Sequence, residues 1–205
     1  MAELELVMAS ANPDKAAEIA AILGAVPGIQ LHPRPADLPD VEETGDTLIE
    51  NARLKAVALM EATGMAAVSD DTGLEIDALG GAPGVYSARY SGEHATYAEN
   101  VAKVVAELER VGATSPEQRA AAFRSVAFVA YPGGGEVWAD GTVVGIIAPE
   151  PIGDAGFGYD PVFVPEGCGG RTFAQMSASE KHRISHRGRA FRALAALLSS
   201  GSESS

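Results

Sequence analysis

Two adjacent carboxylates, Asp70 and Asp71, follow a short apolar run near the middle of this sequence and precede several glycines. Residues 66–68 are typical of a buried strand, and open α/β sheets bind ligands at the carboxyl ends of their strands. Because consecutive side chains of an extended chain point to opposite faces, both carboxylates can face one ligand only if the backbone turns, which Gly73 would allow. Such carboxylates suit Mg²⁺, which often links a protein to substrate phosphates. The alternative is a solvated Asp-Asp turn without a ligand.

Residues 10–15 (SANPDK) join an apolar run to a helical pattern and end in a lysine. A strand that enters a helix through a polar turn leaves backbone N–H groups free, and the Lys15 ammonium would add positive charge to such a phosphate cradle. Pro13 and Asp14 are also ordinary residues of a first helical turn, so helix capping without a ligand is the alternative interpretation.

A further polar pair, Asn51 and Lys55, lies on a predicted helix at residues 47–63. The two residues stand four apart, so their side chains project together from one face. The acidic segment at residues 42–45 precedes this helix closely, and we expect the pair to lie beside it.

A glycine-rich loop at residues 153–161 carries two aromatic rings. Phe157 stands between two glycines, and a large ring on so uncrowded a backbone suits stacking on a flat ligand. The alternative is that Phe157 and Tyr159 fill the core beneath the loop.

The charge of the chain restricts its partners. A formal net charge of −13 argues against binding to a nucleic-acid backbone, which requires a basic face. Six of the fifteen Lys and Arg residues nevertheless fall within residues 171–192, with His182 and His186 among them. This cluster is either a local site for a small polyanion or an ordinary basic helix end that complements the helix dipole.

Cysteine content and hydropathy indicate the compartment. The single cysteine, Cys168, excludes an intrachain disulfide and a multi-cysteine zinc cluster, and we interpret it as a loop thiol rather than a nucleophile. No apolar run approaches the roughly 20 residues of a membrane helix, and no signal-like segment opens the sequence. We therefore expect a cytoplasmic protein without a membrane partner.

Alternating strand and helix patterns predict an α/β fold, in one sheet-centred domain at residues 1–198 with a frayed tail at residues 199–205. Strands are predicted at residues 4–9, 66–68, 122–131 and 136–148, the last two joined by a turn at 132–135 and the last bending at Gly141 or Gly145. Helices are predicted at residues 15–23, 47–63 and 97–111, with a final helix that begins near Ser177 and places Phe191, Leu194 and Leu198 on one side.

Taken together, these segments resemble the inosine/xanthosine triphosphate pyrophosphatase family, and the resemblance covers residues 4–198. Five motifs carry it, in the family's order and at comparable spacing, which makes the match specific. They are SANPDK at 10–15, EETGDTLIENARLKA at 42–56, SDDTGLEIDALGGAPGVYSARYSG at 69–92, GFGYDPVF at 156–163 and EKHRISHRGRA at 180–190.

The resemblance implies a two-lobed α/β fold on a mixed central sheet with flanking helices, a nucleotide cleft between the lobes, and a homodimer. It also implies Mg²⁺-dependent hydrolysis of ITP, dITP and XTP to the monophosphate and pyrophosphate. Asp71 would be the catalytic carboxylate and would share the metal with Glu42 or Glu43. The implied substrate contacts are Ser10, Asn12, Lys15 and Lys55 near the phosphates, Thr72, a base-side wall of Phe157, Gly158, Tyr159 and Asp160, and Lys181, His186 and Arg187, which complete the pocket.

The chain departs from the family's pattern in three places. The first motif is commonly S/T-G-N-x-G-K, whereas Ala11 and Asp14 stand here in place of both glycines. We expect Asp14 to point outward, because it would repel phosphates. Thr72 stands where the family often has serine and keeps the hydroxyl, and the role of His182 stays open.

The same residues admit other functions. A 6-oxo purine presents an acceptor where adenine has a donor, so Lys181, His186 and Arg187 would favour inosine and xanthosine. The competing interpretations are a nucleotide sensor without catalysis, a pyrophosphatase for other modified nucleotides, and nucleic-acid binding through residues 171–192. Presence of the full acidic set with both lysines favours the enzyme.

Overall fold

The computed structural model describes residues 3–201. Short 3₁₀ turns connect some of the main elements. The strands are β1 (Leu4–Met8), β2 (Ile29–His32), β3 (Ala67–Ile76), β4 (Pro83–Gly84), β5 (Ala120–Ala130), β6 (Glu136–Ile147) and β7 (Phe163–Pro165), and the helices are α1 (Pro13–Leu23), α2 (Leu48–Thr63), α3 (Tyr97–Arg110), α4 (Ala178–Ile184) and α5 (His186–Gly201).

The strands form one seven-stranded mixed sheet in the order β2-β1-β3-β5-β6-β7, with β4 paired to β3. β1 runs parallel to β2 and to β3, whereas β4 and β7 pair antiparallel with their neighbours. Parallel neighbours require long crossovers, and α1 and α2 supply helices within them. The predicted α/β class with a mixed central sheet is confirmed.

The chain divides into two compact units. Among the described residues, unit 1 comprises 3–71, 125–141 and 186–201, and unit 2 comprises 72–124 and 142–185. β3, β5 and β6 each contribute residues to both units.

Each unit has its own apolar core. In unit 1, buried residues of β1, α1 and α5 pack together, among them Leu6, Ile19 and Phe191. In unit 2, the ring of Phe123 packs edge-on against Phe163, with centroids 4.8 Å apart, in a cluster that also holds Phe173 and Tyr159. These cores fix the elements that carry the polar residues described below.

Local capping explains where the helices begin. Thr47 and Glu50 form a capping box at the start of α2, and Gly64 ends that helix with a left-handed φ of 69°. A stripe of apolar residues on α2 is buried, and so is its polar residue Asn51; the stripe consists of Leu48, Ala52, Ala56 and Leu59. Ser185, with an extended ψ of 156°, breaks the last helical segment into α4 and α5, a break that the sequence did not indicate.

The structure corrects the predicted end of β3. The strand does not stop before Asp70 but continues in extended form through Asp71 and Gly73. Pairing sustains it, because Leu74 lies opposite Gly84 of β4 and its N–H donates to the Ser87 hydroxyl. No turn occurs at the two aspartates, so they do not both face one ligand, and the alternative of a solvated Asp-Asp turn is wrong.

At the carboxyl terminus, α5 includes residues 199–201 of the predicted tail, and residues 202–205 of that tail lie outside the described residues. None of the helices within residues 3–201 has the length and apolar character to cross a membrane.

Substitution of Gly141 in β6 would test how closely unit 1 is packed. A Cβ on Gly141 would overlap the carbonyl oxygen of His186 and lie 2.5 Å from the Ala190 nitrogen. Gly141→Ala is expected to lower the free energy of unfolding by about 1–3 kcal/mol in urea titrations, since backbone must move to admit it. Gly135→Ala is the matched control, because its Cβ would meet the Tyr131 ring at an ordinary 3.5 Å. Equal losses in both variants would contradict this account.

Candidate active site

A carboxylate–lysine–carboxylate cluster lies in unit 1 around Asp71. The Lys55 ammonium donates to Asp71 Oδ1 at 2.8 Å and to Glu43 Oε1 at 2.7 Å. Asp71 is buried, and its second oxygen, Oδ2, is also buried and accepts no hydrogen bond from the described residues. The cluster thus leaves one carboxylate oxygen of Asp71 open to a further partner.

Helix α2 holds this cluster together. Its buried stripe fixes the helix, and Lys55 projects from it toward β3. Asn51, one turn earlier, accepts the Gly45 N–H at 2.8 Å and donates to the Gly45 carbonyl at 3.2 Å. This pair of bonds pins the acidic segment, so the predicted proximity of that segment to Asn51 and Lys55 is confirmed. It places Glu43 in the cluster, whereas the side chain of Glu42 is exposed.

Asp70 belongs to a second network in the same unit. Because β3 stays extended, its side chain points to the face opposite that of Asp71. Asp70 Oδ2 accepts hydrogen bonds from Arg187 Nε at 3.1 Å and from Nη2 at 3.0 Å, and it lies 3.8 Å from the Lys15 ammonium. Glu18 accepts a further guanidinium contact, from Arg187 Nη1.

Burial and charge push the two aspartates in opposite directions. Burial raises the pKa of Asp71, and the negative charge of Glu43 adds to the rise, which the lysines do not cancel. Burial acts in the same sense on Asp70, but Lys15 and Arg187 outweigh it and hold the pKa of Asp70 well below its usual range. Asp70 is therefore a fixed anion, while Asp71 is a carboxylate with an enhanced affinity for a proton.

The neighbouring cations differ in the same way. Burial lowers the pKa of Lys55, but the charges of Asp71 and Glu43 outweigh burial, so the pKa is raised and the ammonium stays charged. For Lys15, burial prevails with the help of Lys55 and Arg187, and its pKa is lowered.

The start of α1 differs from the sequence prediction. Asn12 caps the helix, and its side-chain oxygen accepts the N–H groups of Asp14 at 2.9 Å and of Lys15 at 3.2 Å. Since Pro13 has no N–H and Ala16 bonds the Asn12 carbonyl, the expected cradle of free N–H groups is wrong. Asp14 is exposed, as predicted, and Ser10 is half-buried.

A lysine–aromatic cluster lies in unit 2. The Lys181 ammonium donates to Asp160 Oδ2 at 2.5 Å and lies 4.6 Å from the centroid of the Phe157 ring. The same oxygen of Asp160 accepts the Phe157 N–H at 2.8 Å, so one carboxylate fixes both the loop and the cation. The centroid of the Tyr97 ring lies 5.8 Å from that of the Phe157 ring.

The two aromatic residues of the loop have different environments. Tyr159 is buried in the core of unit 2, and its hydroxyl donates to the Ser87 carbonyl at 2.9 Å. Phe157 is only half-buried. Core filling is thus the correct interpretation for Tyr159, and Phe157 keeps an accessible ring. Gly158, with φ of 60°, separates them, and Thr72 follows Asp71 in β3.

The predicted pocket residues Lys181, His186 and Arg187 are close in sequence but belong to different units. The break at Ser185 leaves Lys181 in unit 2, while His186 and Arg187 begin α5 in unit 1. Both are buried, as is Lys181, whereas the other basic residues of the stretch are exposed: Arg171, Arg183, Arg189 and Arg192. Sequence reasoning missed Glu18, although an acidic residue beside Ile19 on the buried face of α1 is a recognisable signal.

The chain is similar to known proteins along nearly its whole length. The model of the Ham1 family matches residues 6–197. The chain belongs to this family. It is 48% identical over 197 residues to a dITP/XTP pyrophosphatase of Mycolicibacterium paratuberculosis, covering 94% of this chain and 95% of the relative. It is 46% identical over 195 residues to one of Streptomyces avermitilis, covering 92% and 94%. A HAM1 protein from Coxiella burnetii has a TM-score of 0.85 at 41% identity, covering 96% of this chain and 99% of that structure. The predicted family is confirmed.

The residues of this Ham1-family chain fit a magnesium ion. Asp71 offers a buried oxygen without a hydrogen-bond partner, and Glu43 converges on the same lysine. Within residues 3–201, no group of three or more His, Cys, Asp or Glu side chains is arranged to hold a metal. Two carboxylates suffice for Mg²⁺, which keeps several waters and binds substrate phosphates.

Replacement of the two aspartates should have very different effects on the stability of this family member. Asp70→Asn removes the charged partner of Arg187 in the interior and should lower the free energy of unfolding at pH 7 by about 3–5 kcal/mol. Asp71→Asn should change it by about 1 kcal/mol or less, because folding disfavours the charged form of Asp71. Urea titration followed by circular dichroism measures both. The Asp70 contribution is present above about pH 4 and is lost as the pH falls. Similar losses in the two variants would refute the opposed assignments.

The raised pKa of Asp71 gives a second prediction. In Mg²⁺-free protein, carbon-13 NMR of the Asp71 carboxyl should show a titration midpoint above the ordinary value of about 3.9. Glu43→Gln should move that midpoint downward, because it removes a like charge. A midpoint at or below the ordinary value would show that Lys55 dominates over burial.

Proposed function

We propose that this chain hydrolyses non-standard purine nucleoside triphosphates, dITP, ITP and XTP, to the monophosphate and pyrophosphate. The observation that carries the proposal is the buried Asp71, with one oxygen bound to Lys55 and the other open, beside Glu43. Relatives that this chain matches over nearly their whole length are named dITP/XTP pyrophosphatases, which supports the substrate class. The physiological effect would be removal of deaminated purines from the nucleotide pool.

The proposed chemistry is attack of water on the α-phosphorus. A bond forms from the water oxygen to phosphorus, the α–β bridging P–O bond breaks, and pyrophosphate leaves with the bond's electron pair. The Asp71 carboxylate, or a neighbouring carboxylate not fully engaged by the metal, would orient the water or accept its proton, a task for which a raised pKa is suited. Lys55 and Lys15 would stabilise the charge that develops on the leaving group.

Mg²⁺ would be held by Asp71 and Glu43 and, when bound, would supply charge neutralisation at the phosphate oxygens. The exposed position of Glu42 favours Glu43 as the second carboxylate. Ser10 and Asn12 would lie near the phosphates, and the hydroxyl of Thr72 next to Asp71 would add a further polar contact.

For base recognition, we propose stacking on the half-buried Phe157 ring, in a loop built by Gly158, Tyr159 and Asp160. Donors on Lys181, His186 and Arg187 would accept a 6-oxo purine and leave adenine facing unpaired donors, a mismatch that can discriminate by about 10⁴ or more. The guanidinium of Arg187 also contacts Asp70 and Glu18, so only its other N–H groups could bind the base.

The family resemblance further supports a cytoplasmic homodimer. Light scattering of the purified chain would test the dimer.

The activity can be tested directly. Purified protein should release pyrophosphate from ITP, dITP and XTP in the presence of Mg²⁺ and far more slowly from ATP, GTP, dTTP and UTP. Chelation of Mg²⁺ should stop the reaction. Binding of ITP without cleavage would instead favour a sensor.

Variants separate the roles of the carboxylates. Asp71→Asn should reduce kcat by about 10²- to 10⁴-fold, because the proton acceptor is lost, while the protein stays folded. Glu43→Gln should raise the Mg²⁺ concentration needed for half-maximal rate, and Glu42→Gln is the matched control with little effect. A Mg²⁺ dependence altered more by Glu42→Gln than by Glu43→Gln would reverse the assignment.

A further inference from the structure

The network around Asp70 has a feature that stability alone does not require. Asp70 Oδ2 is shared by two cations, the guanidinium of Arg187 at hydrogen-bond distance and the ammonium of Lys15 at 3.8 Å. The Lys15 contact is an ion pair too long for a hydrogen bond. The Lys15 ammonium donates no hydrogen bond to any of the described residues, so its three donors remain available. Its position is held by the charge of Asp70.

The two cations differ in their freedom to move. The side chain of Arg187 is 2% exposed and held by two carboxylates, whereas that of Lys15 is 20% exposed. Lys15 carries a flexible stem that can turn its charge toward water. Arg187 and Lys55 both repel the Lys15 ammonium, and Asp70 is the carboxylate paired with it. Without Asp70, the cation that can move outward is Lys15.

We propose that Asp70 is a positioning residue that acts through Lys15, holding its ammonium where it can bind the pyrophosphate part of the substrate. The inference rests on the proposed function, in which Lys15 contacts the phosphates. Arg187 compensates the charge of Asp70 and holds its carboxylate in place, while Glu18 accepts another contact of the same guanidinium. Lys15 and Glu18 are three residues apart on α1, so the network also fixes that helix turn relative to β3.

The opposite effect of Asp70 is also physically conceivable. A carboxylate near a phosphate site repels anions, and its removal would then strengthen phosphate binding. The contact with Arg187 neutralises much of this repulsion locally, so loss of Lys15 from its position should dominate. The sign of the change in affinity decides between the two effects.

A double-mutant cycle on pyrophosphate binding tests the proposal. Titration calorimetry with inorganic pyrophosphate and Mg²⁺ is applied to the wild type, Asp70→Asn, Lys15→Ala and the double variant. We expect about tenfold weaker binding in each single variant and no further loss in the double variant, because Asp70 acts through Lys15. Losses that multiply, an unchanged affinity or tighter binding in Asp70→Asn would each overturn it.

Two further variants guard against a purely structural effect. Glu18→Gln removes the other anchor of Arg187 but leaves Asp70 beside Lys15, and its pyrophosphate affinity should stay within about threefold of wild type. A tenfold loss in Glu18→Gln would assign the effect to the structure of the whole ion-pair network and overturn the proposal.

If Asp70→Asn does not fold, Asp70→Glu keeps the charge but displaces it, and its smaller loss of affinity should likewise vanish in the Lys15→Ala background. A loss that persists in that background overturns the proposal.

This experiment does not require turnover. A wild-type protein that binds pyrophosphate but cleaves no nucleotide would contradict the proposed function and leave the cycle readable. A wild-type protein that binds no pyrophosphate would overturn the positioning role itself.

Discussion

The extended course of β3 through Asp70 and Asp71 is the constraint on which the site in unit 1 depends. Successive side chains of a strand face opposite ways, so adjacent carboxylates cannot share a ligand. Each aspartate instead compensates its own cations, Asp71 with Lys55 and Asp70 with Arg187 and Lys15. One dipeptide thereby organises two polar networks with different electrostatic character.

Neither network is best explained as a source of stability. Buried ion pairs lose hydration that their attraction often fails to recover, and apolar replacements can be more stable. The networks do fix ammonium groups at defined places with limited solvent contact. In the Asp71 network, incomplete compensation leaves a carboxylate with a raised pKa and an open oxygen, which is the state that a proton acceptor or metal ligand requires.

Unit 2 achieves rigidity by different means. Asp160 binds the Phe157 amide and the Lys181 ammonium with one oxygen, and the space for that oxygen exists because Gly156 has no Cβ. Tyr159 anchors the loop in an aromatic core. The loop that carries the half-buried Phe157 ring is therefore held by these contacts, and stacking on the ring would require little ordering of the loop.

Much of this protein was determined by its sequence. Periodicity and capping residues determine the helices, since these effects act within a few residues, and the motifs determine the family. The sequence also indicated that the acidic segment lies beside Asn51 and Lys55, and the family resemblance added Asp71 to it. Three features were decided only by tertiary structure. β3 continues past its aspartates and pairs with β4 at Leu74 and Glu75, Ser185 divides the last helical segment, and Glu18 meets Arg187 from 169 residues away. The strand pairing and the Glu18–Arg187 contact each join separate elements, and periodicity and capping within one element do not specify such contacts.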